Sequence, residues 1–423
     1  MTLSVQSDRS LIRAAARSTR FVLVSFDAPA AQRRQTRAPI NLSLVLDRSG
    51  SMSGQKLMLA KQATEHALRL LSPSDRFSLV TYDNVVEVVA PSTLATPQAT
   101  RQALEALARI DARGSTDLCG GWMRGCEQIA LRQVQEGINR CLLLTDGLAN
   151  HGNTNHEELI RIAGDLAARG VQTTTFGVGA DFDERLLRDM AESGQGHFYF
   201  IASPAQIPDL LASEVGEALD VVARRAILRV ALPAGAQAEC LNRYRQVNVK
   251  GDNELHVELG DLVSAQQVEL VIRLAMPQGN AGEHLTTDFW LADADGTLGT
   301  TSHEMRWTFA GHTENDRQSR NRIVDRSVAT LYAARARGEA TEHNRHGNYE
   351  RARHVLTETA KRIRSYAGDD AELNRIADEL LLDVESFADR AMTVMEMKNQ
   401  FYSSDLAMKF RSPVGKARRS PRA

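Results

Sequence analysis

Residues 47–54 read Asp-Arg-Ser-Gly-Ser-Met-Ser-Gly: an acid, then hydroxyls at every second position, on a loop that carries glycine. The spacing lets the short side chains of Asp47, Ser49 and Ser51 converge on one point, and each offers a hard oxygen. Two distant loops add donors of the same kind, Thr116 within Gly114-Ser115-Thr116-Asp117 and Asp146 ahead of Gly147. Two carboxylates and three hydroxyls suit a divalent ion that prefers octahedral oxygen and retains water: Mg2+ first, with Mn2+ or Ca2+ as alternatives. The soft ligands that select zinc are missing from the set. A helix follows the first loop and points its positive end at the ion, so carboxylates must supply the compensating charge.

Other chemistries fit these residues less well. A nucleophile elbow needs glycine two residues before and two after its serine. Ser51 has Ser49 and Ser53 there, and Ser49 has Asp47 and Ser51. A phosphate-binding loop needs Gly-Lys followed by Ser or Thr at the end of its run. Here Gly54 is separated from Lys56 by Gln55, and Lys56 is followed by Leu57. His343 and His346 beside Glu342 read as an exposed helical face rather than a zinc pair. No catalytic residue is expected and none is assigned.

The elements that must position the oxygen donors follow from hydrophobic period. Apolar runs at 41–46, 77–82, 85–89, 140–144, 171–178 and 197–201 read as strands, and 55–71, 96–110, 118–135 and 155–169 as helices. Buried strands alternating with helices form βαβ units. The fold class is therefore α/β, a Rossmann-like, mostly parallel central sheet flanked by helices. Ligand sites in such sheets lie beyond the carboxyl ends of the strands, where Asp47 and Asp146 fall.

Taken together, Asp47, Ser49, Ser51, Thr116 and Asp146 resemble the metal-ion-dependent adhesion site of the von Willebrand factor A domain. That pattern is Asp-x-Ser-x-Ser after the first strand, a Thr in a distant loop and an Asp after the fourth strand. The resemblance covers about 39–216. It implies that Ser49, Ser51 and Thr116 ligate the ion directly, that Asp47 and Asp146 act largely through bound water, and that a sixth position is left for an Asp or Glu of a protein partner. The function so implied is a non-enzymatic, metal-dependent adaptor. Bacterial stand-alone A-domain proteins, which the downstream regions also resemble, suggest an alternative: a metal-gated regulatory or assembly subunit working with an AAA-type ATPase or a kinase–phosphatase pair.

The rest of the chain changes texture. Residues 217–312 carry short alternating runs at 226–232, 254–259, 268–274 and 287–291, an antiparallel β domain of sandwich type. Within the N-terminal segment, 1–38, a strand at about 20–27 has no helix beside it and is a candidate to pair with that domain. Residues 313–408 are rich in Ala, Glu, Arg and Leu and read as helical, with self-association as one role for these helices. Residues 409–423 are basic, lack an apolar period and read as a disordered tail. Trp290 and Trp307 read as sandwich core, and Trp122 as core or as rim of the metal face.

Composition bounds the partners. Hydrophobic residues make up 43% of the 423, enough for packed cores. Lys plus Arg total 51 against 53 Asp plus Glu, so no global pull towards nucleic acid or anionic membrane is expected. Arg9, Arg13, Arg17 and Arg20 cluster near the start, but no apolar stretch of leader length follows them. Four cysteines, none in a Cys-x-x-Cys pair, read as buried thiols, and the expected location is cytoplasmic.

Overall fold

The computed structural model describes residues 3–31, 37–249, 251, 253–299, 302–388 and 390–420. The chain divides into two compact units, 32–221 and a discontinuous unit of 1–31 with 222–423. The chain opens with three strands of the discontinuous unit, β1 (Ser4–Ser7), β2 (Leu11–Arg13) and β3 (Ser18–Asp27).

The continuous unit follows with β4 (Ile40–Asp47), α1 (Gln55–Leu70), β5 (Arg76–Tyr82), β6 (Val86–Leu94), α2 (Pro97–Ala108), α3 (Leu118–Ala130), β7 (Ile138–Thr145), α4 (His156–Ala168), β8 (Gln172–Val178), α5 (Glu184–Ser193), β9 (Gln195–Ile201) and α6 (Ile207–Leu219). Its sheet runs β6-β5-β4-β7-β8-β9, parallel throughout except where β6 pairs antiparallel with β5. Every residue of β4, β7 and β8 is buried, because helices cover both faces of the sheet. The short loop after β5 turns the chain straight back as β6, so this edge is a hairpin rather than a further crossover unit.

Local signals set the helix ends. Thr96 caps α2 by accepting from Ala99 N, with Pro97 opening the helix. Asp117 caps α3 by accepting from Gly120 N, and α3 stops at Ala130, short of the sequence expectation of 135. A Cβ at Gly125 of α3 would lie 2.3 Å from Val45 Cγ2, so glycine there lets the helix backbone lie close against β4. Trp122 is fully buried on the same helix and donates to Thr173 Oγ1 at 3.1 Å; it is core and not rim.

The discontinuous unit resumes with β10 (Val221–Ala231), β11 (Gln237–Cys240), β12 (Arg245–Val249), β13 (Glu254–Val263), β14 (Gln267–Met276), β15 (His284–Ala292) and β16 (Ser302–Ala310). It ends in α7 (His312–Arg317), α8 (Arg322–Arg345), α9 (Tyr349–Ala367), α10 (Ala371–Ala388) and α11 (Val394–Met408). Two sheets, β1-β3-β14-β11 and β12-β13-β10-β15-β16-β2, pack face to face. Val22, Val24, Leu270 and Ile272 from one sheet meet Leu228, Val230, Phe289 and Trp307 from the other. The strand read at 20–27 is β3, seated between β1 and β14, so an N-terminal segment and a distant one share this core.

Trp290 departs from expectation. Phe289 and Leu291 take the core-facing positions of β15, and the twofold period turns Trp290 to the opposite face, where it is half-buried. In the helical region, Ala333, Ala336 and Ala340 of α8 pack with Leu356 and Ile363 of α9 and Leu373 and Leu380 of α10.

Residues 409–420 also differ from the solvated tail expected. Tyr244 donates to Lys409 O at 3.2 Å, Gln267 N to Arg418 O at 2.8 Å and Ser420 N to Ala265 O at 3.0 Å. Lys409 and Arg411 are buried, and the Arg418 guanidinium sits 4.4 Å from the Phe410 ring centroid. Composition registers the charges but not the apolar stems or the backbone groups, which hold the segment down. Residues 421–423, including Arg422, lie outside the described residues. Among the described residues, no helix is long and apolar enough to cross a membrane.

Candidate metal centre

Three loops at the carboxyl ends of the parallel strands bring the oxygen donors together. Asp47 is the last residue of β4, at the middle of the sheet, and is fully buried. Its Oδ1 accepts from Ser49 N at 2.8 Å, which folds the loop back on the strand, and its Oδ2 accepts from Thr145 Oγ1 at 2.6 Å. Ser49 Oγ and Ser51 Oγ lie 3.1 Å apart, and Ser51 Oγ donates to Asp146 Oδ1 at 2.6 Å. Ser49, Ser51 and Asp146 thus form one connected chain of oxygens, which Asp47 joins through the Ser49 backbone N–H. Ser51 is exposed, which marks the open side.

Thr116 arrives from the second loop. Gly50 N donates to Gly114 O at 3.1 Å and Arg113 N to Arg48 O at 2.8 Å, stitching the first two loops. Thr116 N donates to Asn150 Oδ1 at 3.0 Å, tying the second loop to the third. A Cβ built on Gly147 would meet Thr116 Oγ1 at 3.4 Å and Ser51 Oγ at 3.8 Å, so both hydroxyls border the same small space.

The charges are arranged selectively. Arg48 lies between Asp47 and Ser49 in sequence, yet its guanidinium turns away to Asp83 (3.0 Å) and Glu87 (3.0 Å). Lys56, in the first turn of α1, instead places its ammonium on Asp146 Oδ2 at 2.5 Å. Burial pushes the Asp47 carboxyl up to about 6, against hydrogen bonds from Ser49 and Thr145 and with the Asp146 charge adding to the rise. Two buried carboxylates with a single ammonium, held on Asp146, make a cation-seeking site. The donor set fits a divalent ion: hard oxygens throughout, two carboxylates to offset the charge, and Asp146 already holding a cation.

Sequence reasoning missed Thr145 and Lys56. Thr145 had a signal, since a hydroxyl directly before Asp146 at a strand end falls beside the neighbouring strand's terminus. Lys56 had none beyond its place in a helix first turn, where a basic residue is unfavourable without a partner.

A second group of ligand-type side chains, His197, Glu214 and Glu217, has donor atoms within 4.8 Å of one another. It sits towards the amino ends of the strands, away from the metal loops. Glu214 Oε1 accepts from Arg140 at 2.8 Å and Thr174 at 2.8 Å, while Oε2 meets His197 Nδ1 at 2.9 Å and Tyr199 OH at 2.8 Å. With both oxygens committed to protein partners, this is a buried ion cluster that fastens α6 to the sheet.

Residues 41–213 match the family model of the von Willebrand factor type A domain. The chain is 27% identical over 296 residues to the uncharacterized protein YfbK of Escherichia coli, covering 68% of this chain and 51% of that protein. It is 26% identical over 304 residues to the uncharacterized protein sll0103 of Synechocystis, covering 70% and 71%. The chain spans about half the length of the first of these relatives. Among solved structures, the von Willebrand factor type A protein from Catenulispora acidiphila matches with a TM-score of 0.68 over 90% of this chain and 96% of that one. At 19% identity that likeness is one of fold.

Proposed function

We propose that the loops at 47–51, 116 and 146 hold a divalent ion, Mg2+ foremost, through which this protein captures an Asp or Glu side chain of a protein partner. The observation that carries the reading is the connected donor set: two fully buried carboxylates, Asp47 and Asp146, joined through Ser49 and the exposed Ser51. Asp47, Ser49, Ser51, Thr116 and Asp146 would hold the ion. When bound, it supplies an electrophilic centre with room for one further anion. The protein's own residues position the oxygens, neutralise excess charge and leave one side open. No bond is made or broken, so the role is that of a cytoplasmic adaptor rather than an enzyme. Beside the site, a cleft of about 560 Å3 between α1 and α2 opens at Ser53 and Gly54 and is walled by Leu57, Met58, Leu104 and Leu107. Apolar side chains flanking the partner's carboxylate would seat there.

The test is affinity capture from native lysate in Mg2+ and in EDTA, with Asp47→Ala alongside. Partners lost in both EDTA and the variant are the expected result. A partner set unchanged by either treatment would sink the reading.

Lys56 gives a second check. Its ammonium neutralises the carboxylate that the ion also needs, so the two cations compete for Asp146. Lys56→Met is expected to tighten Mn2+ binding by about tenfold, equivalent to about 1.4 kcal/mol, in a calorimetric titration at pH 7.5. Weaker binding in the variant would show instead that Lys56 supports the site by holding Asp146 in place.

A further inference from the structure

The basic residues near the start of the chain converge in space. The segment from the β1–β2 connection through β2 to the start of β3, together with α7, borders a cleft of about 230 Å3 lined by Arg9, Arg13, Arg17 and Arg20, with Ser18 and Asn315. Arg20 is only 3% exposed and is locked in place. Its guanidinium donates to Leu11 O at 2.8 Å, Thr19 O at 2.7 Å and Asn315 Oδ1 at 2.6 Å. Its charge is therefore a fixed wall of the cleft.

The acids nearby do not balance the arginines. Asp8 approaches Arg9 at 3.4 Å, and Asp316 pairs with Arg13 at 2.5 Å. Arg17 is exposed and has no carboxylate partner among the described residues. The neighbouring Arg320 is occupied by Asp325 at 2.6 Å. Four guanidiniums against two carboxylates leave two positive charges facing one small space. Burial, together with the charges of Arg9, Arg13 and Arg320, brings Arg20 down to about 10 despite Asp8, so like charges are being held together here.

We propose that this cleft binds a phosphoryl group, free or carried on a protein side chain. Planar guanidinium forks match the oxygens of a phosphate in pairs. A phosphate monoester near neutral pH carries close to two negative charges, equal to the excess in the cleft. At about 230 Å3 the space is smaller than the ~300–1,000 Å3 of ordinary ligand pockets, so it admits a phosphoryl group with a few attached atoms and excludes a nucleotide.

The experiment is calorimetric titration of the full chain at pH 7.5 and matched ionic strength. The ligands are inorganic phosphate, a phosphoserine peptide, the same peptide without phosphate, and sodium chloride. The wild type is compared with the Arg9→Ala/Arg17→Ala variant, which leaves the locked Arg20 and its acceptors untouched. Phosphate binding in the wild type, weakened at least tenfold in the variant, is the expected result. A phosphopeptide that binds at least tenfold tighter than inorganic phosphate identifies the carried group as the source; equal affinities identify the free anion. The proposal is overturned if neither phosphate ligand binds beyond the chloride blank, or if the variant binds as the wild type does. Thermal midpoints of both proteins in plain buffer separate lost binding from lost folding.

Discussion

Glu214→Ala is expected to lower the unfolding free energy by about 3–5 kcal/mol, because it removes one partner of a buried ion pair. The carboxylate is fully buried in α6, and four side chains from three strands converge on it: Arg140, Thr174, His197 and Tyr199. Without Glu214, the buried Arg140 keeps Gln172 Oε1, at 2.8 and 3.0 Å, but loses the charge it pairs with. Burial alone would push the Glu214 carboxyl up; the charges of His197 and Arg140, with hydrogen bonds from His197 and Thr174, more than reverse this and hold it well below 4.5. A carboxyl whose folded value lies below its unfolded one contributes stability above the unfolded value and loses it as pH falls through the folded one. The full contribution is therefore present at pH 5 and above and is lost only in more acidic solution. Urea titrations at pH 7 and pH 5 should show a similar loss in the variant at both. Arg140→Met/Glu214→Leu, which removes the whole pair, should recover much of the stability. A loss under 1 kcal/mol for Glu214→Ala would show that the cluster does not fasten α6.

Asp47→Asn is expected to do two opposite things. It should weaken Mg2+ binding by at least about a hundredfold, since a charged oxygen donor becomes a neutral one. It should also raise the thermal midpoint in EDTA by about 3–5 °C. The second effect follows from burial, which lifts the Asp47 carboxyl from 3.8 to about 6. Holding it ionised at pH 7.5 costs on the order of 2–3 kcal/mol. The sign is that of a raised acid: between pH 3.8 and 6 the folded chain keeps a proton that the unfolded chain has released. In EDTA, this group makes the wild type more stable towards pH 5, and the gain is lost as pH rises through 6. Asp47→Asn removes that part of the pH dependence. Stabilisation of the wild type by Mg2+ should correspondingly be larger at pH 7.5 than at pH 5. Scanning calorimetry with and without EDTA at the two pH values measures all of this. A wild type insensitive to Mg2+ at both would remove the metal from the account.

Burial explains why such a candidate site is visible in a sequence at all. A buried carboxylate stands out against its apolar strand. Asp47 closes the run 41–46, and Asp146 follows 140–144 at the matching end of a neighbouring strand. Periodicity places both at the same edge of the sheet, and the alternating hydroxyls of 49 and 51 are a local pattern within one loop. The sandwich was legible for the same reason, since strands with one wet face alternate, as Leu228 and Val230 do.

What the sequence by itself determined, then, was the fold class, a parallel sheet with helices, a further sheet region and a helical region, and it singled out candidate oxygen donors, because each rests on residues within a few positions of one another. Only the tertiary structure decided which side chains complete the electrostatics. Arg140 and Glu214 are 74 residues apart, Thr145 and Asp47 are 98 apart, and Lys56 reaches Asp146 across 90. The same holds for the four arginines, a scatter of charge along 9–20 that becomes one cleft once Asn315 of α7 closes it. The C-terminal segment is a further case: its basic composition describes solvation, whereas its docking depends on backbone groups of residues 265 and 267. Hydrophobic period reports the burial of apolar surface, which is a local property of the chain. Charge pairing and backbone satisfaction depend on which distant groups folding brings within about 3 Å, and no spacing along the chain encodes that.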